Sequence, residues 1–340
     1  MGVSEGATSG AWVHDLDPVL VDLGPVPVRF YGLAYAVGFL LGWLLIRRVL
    51  SRGRSPLGPE AASDLVVALM LGVLIGARLG YAVFYRPSLL WTFTSDLPFW
   101  ELLAIHEGGM ASHGGMIGVV VAALLWAHKR QVPFLHVMDL AAFAAPLGLF
   151  FGRLANFING ELYGRPAPDD LPWAMKFPSE MYTWGEDRLR ALGDALPGSF
   201  GLAPSPLEVR QQLPALIDAI QQDNAEVTEA AARLLVARHP SQLYEAGLEG
   251  LVVFAVLAFA WRNPRRPGIV AALFAMTYAA ARIVAELFRE PDAHLRGLEF
   301  TWLHVTRGQW LSVLLFLAGF ALLLVSRRRG SEPMGGWREP

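Results

Sequence analysis

The chain has 340 residues, of which 54% are hydrophobic and 17% charged, with a formal net charge of −2. Soluble domains carry about a quarter charged residues, so this deficit, with a mean hydropathy of +0.39, points to a bilayer as the main solvent. The small net charge excludes a nucleic-acid binder steered by positive charge. The absence of cysteine excludes a disulfide frame, a thiolate metal site and a cysteine nucleophile.

A spanning helix needs about 20 mostly apolar residues. The first such stretch is Val28–Ile46. It follows an acidic tail (Glu5, Asp15, Asp17, Asp22) with no small-residue cleavage pattern after it, which is unlike a cleaved signal peptide. Next come Leu65–Phe84, a short segment Leu97–Ile105 expected to be interfacial or re-entrant, and the spans Ser112–Ala127 and Val137–Phe157. A long polar connection, 158–242, reads as a small head. Within it Ser205-Pro206-Leu207-Glu208 has the capping-box pattern, Pro214 is expected to kink or divide the helix that follows, and Ala225–Arg238 has helical spacing. Leu243–Trp261, Gly268–Phe288 and Gln309–Val325 complete seven spans, and 327–340 is a tail.

Basic residues follow alternate spans: Arg47, Arg48, Arg52 and Arg54; Lys129 and Arg130; Arg262, Arg265 and Arg266; Arg327 to Arg329. The positive-inside rule makes these connections cytoplasmic. The connection 289–308, with Arg289, Arg296 and Arg307, runs against the trend. The expected fold is therefore an all-α integral membrane protein with seven transmembrane helices, N-terminus outside, C-terminus inside, and an extracytoplasmic head. Membrane domains cover 1–157 and 243–326.

This orientation gathers the polar residues of the spans at one depth. Tyr31, Arg78, His113, Arg153, Asn156, His239, Gln242, Glu245, Arg282 and Glu286 all fall in the outer half or at its edge, with Asn159 and Glu161 just beyond. The inner half is nearly bare apart from Asp139, read as a helix-start residue. Ionisable groups in a bilayer usually face a cavity or a partner, so the pattern describes a polar chamber open to the outer leaflet. Each residue also has a plainer reading. Arg153 could snorkel, Arg282 and Glu286 could simply pair at i and i+4, and Arg78 sits in a small-residue packing pattern, Gly76-Ala77-Arg78-Leu79-Gly80. The glycines around His113 could serve close helix packing. All these readings would have to hold together at one depth.

Other chemistries fail on spacing. His106-Glu107 has methionine at position 110 where a zinc protease needs histidine. Ser199 lacks a nucleophile-elbow context. The only lysines, Lys129 and Lys176, lie outside the spans, which excludes a retinal protein.

The run Gly152-Arg153-Leu154-Ala155-Asn156-Phe157-Ile158-Asn159-Gly160-Glu161-Leu162-Tyr163-Gly164-Arg165 closely resembles the signature of the bacterial prolipoprotein diacylglyceryl transferase family. Four further blocks resemble that family in the same order: 29–33, 108–115, 239–245 and 282–292. The resemblance runs over about residues 15–182 and 236–325, whereas 184–235 has no counterpart in the family pattern and is taken as an insertion in the head.

The resemblance implies a seven-span plasma-membrane enzyme. It would move diacylglyceryl from phosphatidylglycerol to the lipobox cysteine of prolipoprotein signal peptides, without cofactor, metal or nucleic acid, at the outer face of the bilayer. The family's functional positions fall on Tyr31, His113, Arg153, Asn156, Glu161, Gly164, Arg282 and Glu286.

For that chemistry a thiol must lose its proton and a departing phosphate must gain counter-charge. Arg153 and Arg282 suit the phosphate, since guanidinium binds it bidentately. Asn156 could orient the phosphate or the glycerol, and Gly164 joins the lipid-binding set. Histidine titrates near neutral pH, so His113 is the expected base, with Glu161 and Glu286 as alternatives or as arginine holders. Tyr31 would donate a hydrogen bond. A rival reading, an anionic lipid or metabolite flippase, would need a polar path into the inner half of the bilayer. A seven-span receptor would tolerate alanine at His113, Arg153 and Arg282.

Overall fold

The computed structural model describes residues 10–23, 27–95, 97–105, 108–168, 170–196, 205–290 and 306–338. All seven apolar stretches form helix. In chain order they are α1 (Phe30–Leu50), α2 (Ala61–Phe84), α3 (Ser112–Arg130) and α4 (Phe134–Ile158), then the composite stretch α8 (Ser241–Glu245), a π-helical turn (Ala246–Val252) and α9 (Val253–Ala260), then α10 (Ile269–Ala285) and α11 (Arg307–Arg328). Among the described residues five helical stretches are long and apolar enough to cross a membrane: Phe30–Leu50, Ala61–Phe84, Phe134–Ile158, Ser241–Ala260 and Gly308–Arg328. Ile269–Ala285 is apolar but shorter. The protein is thus a mostly helical, multi-pass membrane protein.

The chain divides into two compact units. The first comprises Met1–Gly38, Gly148–Val252 and Tyr278–Val313; the second Phe39–Leu147, Val253–Thr277 and Leu314–Pro340. In the first unit a three-stranded sheet joins β1 (Trp12–Val13), β4 (Met175–Lys176) and β5 (Ala237–Arg238). β1 runs parallel and β5 antiparallel to β4. A second pair, β2 (Val19–Val21) and β3 (Val28–Arg29), precedes α1.

Between β4 and β5 the described residues form three α-helices, α5 (Glu186–Ala195), α6 (Pro206–Gln221) and α7 (Ala225–Leu234). They share a core of Met181, Trp184, Leu189, Leu192, Val209, Leu213, Leu216, Ile220 and Val227. Glu180 is buried beneath it, 2.8 Å from both Arg238 and Arg188 and accepting a hydrogen bond from Trp184. Burial pushes the Glu180 carboxyl up, but the hydrogen bond and charge of Arg238, aided by Trp184 and Arg188, hold it below the usual carboxylate value.

The local patterns in this segment are met only in part. Ser205 occupies the N-cap of α6 without a side-chain cap bond, so the capping box does not form, although Pro206 does open the helix. Pro214 does not divide α6: it lies inside the helix, which continues to Gln221 although a proline there donates no bond to the ladder. The helical pattern from Ala225 ends at Leu234, because Ala237 and Arg238 pair with β4. Asn224 caps α7 by accepting from the Val227 amide.

In the second unit α2 and α3 pack through glycines. A methyl on Gly80 would lie 2.7 Å from the Gly114 Cα, and one on Gly72 would lie 2.6 Å from the Gly118 carbonyl. Small residues four apart let two membrane helices approach to backbone contact. Asp139 is not the start of its own helix. It lies inside α4, fully buried, and caps the beginning of α10, accepting from the amides of Gly268 and Ala271 at 2.8 Å each. The tail folds back on the α9–α10 connection, where Met334 pairs with Arg265 and Trp337 donates to the Ala258 carbonyl at 2.7 Å.

Candidate active site

The end of α4 explains the spacing of the longest motif. Gly160 has φ of +63°, a left-handed conformation that costs glycine nothing. Its amide bonds the Phe157 carbonyl at 2.8 Å, and the next amide, Glu161, reaches back to the Asn156 carbonyl at 3.1 Å. This pair of bonds is a Schellman motif. It turns the chain so that Glu161 returns to the last turn of its own helix, where its carboxylate accepts from Asn156 Nδ2 at 2.8 Å. Tyr31, the second residue of α1, completes the group: its hydroxyl donates to Glu161 and accepts from Asn156. Three sequence-predicted residues therefore form one closed hydrogen-bonded triad.

Residues 239–245 are tied to the same turn. The Gln242 amide donates to the Glu161 carbonyl at 2.7 Å and Ser241 to the Leu162 carbonyl at 3.1 Å. Gly164 donates its amide to the His239 carbonyl at 3.0 Å and bridges Arg289 on the other side. A Cβ on Gly164 would meet the His239 and Phe288 carbonyls at 2.5 and 2.6 Å. This geometry gives Gly164 a packing role at a crossing of three backbones.

One turn before Asn156, Arg153 points into an ion cluster. Its Nη1 lies 2.8 Å from Glu245, and its Nη2 lies 3.0 Å from Glu249. Arg282 reaches Glu245 at 3.3 Å, Glu249 at 3.1 Å and Glu286 at 2.9 Å. Arg289 adds a contact to Glu245 at 3.6 Å. Three arginines thus face three glutamates. The carboxylates lie behind, with Glu249 and Glu245 at 0% and 1% side-chain exposure, while Arg153 and Arg282 keep 16% each. Burying such charges is costly, and removing one partner of a buried pair typically costs about 3–5 kcal/mol. Such a cluster therefore holds its members rigidly, and it presents guanidinium, not carboxylate, to an incoming group. Arg153 is pinned and does not snorkel.

In the second unit His113 is the second residue of α3 and exposed. The loop before it is held by Arg78, 5% exposed on α2. Arg78 donates to the carbonyls of Glu101, Leu102, Ala104, Gly108 and Gly109, so its guanidinium is consumed by backbone. That is a structural task, and the segment predicted as interfacial folds around it, with a 3-10 turn at Glu101–Leu103. His106 and Glu107 lie outside the described residues. Among the described residues no three histidine, aspartate or glutamate side chains are grouped to hold a metal.

The sequence model of one family, described as prolipoprotein diacylglyceryl transferase, matches residues 18–325. The chain belongs to that family. Proteins named phosphatidylglycerol–prolipoprotein diacylglyceryl transferase from Bdellovibrio bacteriovorus and Rhodospirillum rubrum are each 42% identical to it. The alignments cover 96% and 95% of this chain and 97% of each relative. A third, from Bordetella parapertussis, is 40% identical over 93% of this chain and 98% of its own length.

Sequence reasoning about this diacylglyceryl transferase family member missed Glu249 and left Gln242, Glu245 and Arg289 without a role. The signal was present: Gln242, Glu245 and Glu249 recur at helical spacing on one face of an otherwise apolar run.

Proposed function

We propose that this chain transfers the diacylglyceryl group of phosphatidylglycerol to the lipobox cysteine of prolipoprotein signal peptides. The observation that carries this reading is the Arg153–Arg282 pair, backed by buried glutamates and set one helical turn from the Tyr31–Asn156–Glu161 triad, in a chain of this family. The names of the relatives favour transfer over the flippase alternative.

The chain crosses the bacterial inner membrane seven times, α3 and α10 completing the set. The positive connections are cytoplasmic, and the site faces the outer leaflet. Residues 158–242 form the extracytoplasmic head.

In the reaction the cysteine sulfur forms a bond to the terminal glycerol carbon of the diacylglyceryl group while the bond from that carbon to the phosphate oxygen breaks. The thiol proton passes to His113, and the electron pair leaves with glycerol phosphate. Thiolate is the reactive form, which is why a base is required. Arg153 and Arg282 stabilise charge developing on the phosphate; such preorganised donors act strongly in a site shielded from water. Glu286 orients Arg282. Tyr31 and Glu161 take the two amide hydrogens of Asn156 and fix its orientation, leaving its side-chain carbonyl to accept from a glycerol hydroxyl. Gly164 holds the backbone crossing that carries Glu161.

The test is the intact mass of a synthetic lipobox peptide after incubation with the purified chain and phosphatidylglycerol. The peptide should gain one diacylglyceryl unit on its cysteine, and Arg153→Ala and His113→Ala should abolish the gain. A folded wild-type chain that adds no mass would overturn the transferase reading. Retained turnover in His113→Ala would remove His113 as the base.

A further inference from the structure

Glu249 is the most deeply buried charge in the membrane part of the first unit. It is also the acidic residue whose two oxygens are divided between the two arginines. Oε2 accepts from Nη2 of Arg153 at 3.0 Å and from its Nε at 3.3 Å; Oε1 accepts from Nη1 of Arg282 at 3.1 Å. Glu245 also touches both guanidiniums, but through the single oxygen Oε2. A carboxylate has a fixed distance between its oxygens, so a two-sided contact sets the separation and mutual orientation of its partners. The backbone at this point departs from α-helix into the π-helical turn Ala246–Val252. Such turns are rare and frequent at functional sites. Here the wider turn follows Glu245 and carries Glu249 toward the same two guanidiniums. Gly250, the next residue, lies against Phe150, where a methyl would come within 2.6 Å of the Phe150 Cβ; the turn is therefore pressed against the helix that bears Arg153.

We propose that Glu249 is a positioning residue for the transfer reaction, spacing the Arg153 and Arg282 guanidiniums to receive the departing phosphate. This rests on the diacylglyceryl transfer reading above. Glu249 does not touch substrate. Glu249→Gln keeps the shape but turns an N–H toward one arginine, releasing that guanidinium while removing a competing negative charge. The phosphate should therefore still bind, but to a pair with the wrong spacing.

The experiment compares wild type, Glu249→Gln, Glu249→Asp and the exposed control Glu229→Gln, all as full chains in phosphatidylglycerol nanodiscs with lipobox peptide. Misplacement by about 1 Å can cost about 100-fold in rate. The expected result is a kcat about 100-fold lower for Glu249→Gln with KM for phosphatidylglycerol unchanged or lower. Glu249→Asp, which keeps the charge on a shorter arm, should lose less, and Glu229→Gln should match wild type. Wild-type kcat in Glu249→Gln, or a raised KM with kcat intact, would overturn the proposal. Failure of both Glu249 variants to yield folded protein would overturn it too, assigning the residue to stability alone. If the wild type itself transfers nothing, the underlying transferase reading fails; activity in wild type but not in Arg153→Ala, with Glu249→Gln unaffected, sinks only this inference.

Discussion

The sharpest test of the site's architecture is Gly164→Ala. Sequence resemblance places Gly164 among lipid-binding positions, whereas its surroundings are three backbones. A methyl there would sit 2.5 Å from the His239 carbonyl oxygen, 2.6 Å from that of Phe288 and 2.9 Å from the His239 Cβ. Relieving this requires the segments to part by about 1 Å, since carbon contacts are comfortable only near 3.5 Å or beyond. The movement stretches two hydrogen bonds, Gly164 to His239 at 3.0 Å and Arg165 to Phe288 at 2.8 Å. Overpacking costs about 1–3 kcal/mol and each lost bond about 0.5–1.5 kcal/mol, together about 2–6 kcal/mol. Scaled to a domain of this size, the melting temperature should fall on the order of 5–20 °C. Thermal unfolding of the purified variant in detergent, followed by turnover at low temperature, checks this. Stability and kcat should fall together, because the same crossing carries Glu161 on one strand and leads to Glu245 on the other. A variant with wild-type melting but lost phosphatidylglycerol binding would refute the packing argument and make Gly164 a lipid contact.

Three further outcomes are expected. Tyr31→Phe removes the hydroxyl between Asn156 and Glu161 but leaves their direct 2.8 Å bond. Its stability cost should be about 1 kcal/mol and its turnover at least about 10-fold lower, a barrier change of about 1.4 kcal/mol; wild-type turnover would remove Tyr31 from the site. Arg78→Ala strands five carbonyls and should lower both melting temperature and activity, and Arg78→Lys should not rescue it, because a single ammonium has three donors and no planar fork; full rescue by lysine would contradict the five-carbonyl account. Finally, the first unit should lose stability in acid in two steps. Burial holds His14 below its ordinary value despite the opposing backbone bonds and Asp15, so its contribution is complete above about pH 6.5 and erodes as pH falls below that. The depressed carboxyl of Glu180 contributes fully above about pH 4.3 and is lost as pH falls through its lower folded value. Fluorescence of buried Trp184, bonded to Glu180, reports the acid limb; a flat signal from pH 7 to the acid extreme would refute both assignments.

The apolar stretches were legible because length and composition alone decide where a helix can lie in lipid. The motif around Arg153 was legible as a family resemblance, and the Schellman turn at Gly160 gives the physical reason for its spacing. What stayed hidden depended on partners distant in sequence. Glu249 within an apolar run reads as an anomaly until Arg153 and Arg282 are seen on either side of it. Asp139 reads as a start signal for its own helix, whereas the amides it caps belong to Gly268 and Ala271. Arg78 reads equally as a residue of the polar chamber and as part of a packing pattern, and backbone carbonyls from five residues decide for structure. Ser205 shows the reverse case: the local pattern is complete, yet its side chain makes no cap bond.

The two ends of the helical head meet. Lys176 pairs with Ala237 and Met175 with Arg238, while Ala167 and Ala237 and, one step further in, Arg165 and His239 are joined by backbone hydrogen bonds. The described residues between β4 and β5 are therefore an excursion that leaves and returns through one doorway, with its own core. An excursion closed at its base can grow, shrink or be exchanged without altering the register of β4 and β5 or the Arg165–His239 bond beyond them. The excursion is free to diversify while the strand pairing at its base stays fixed.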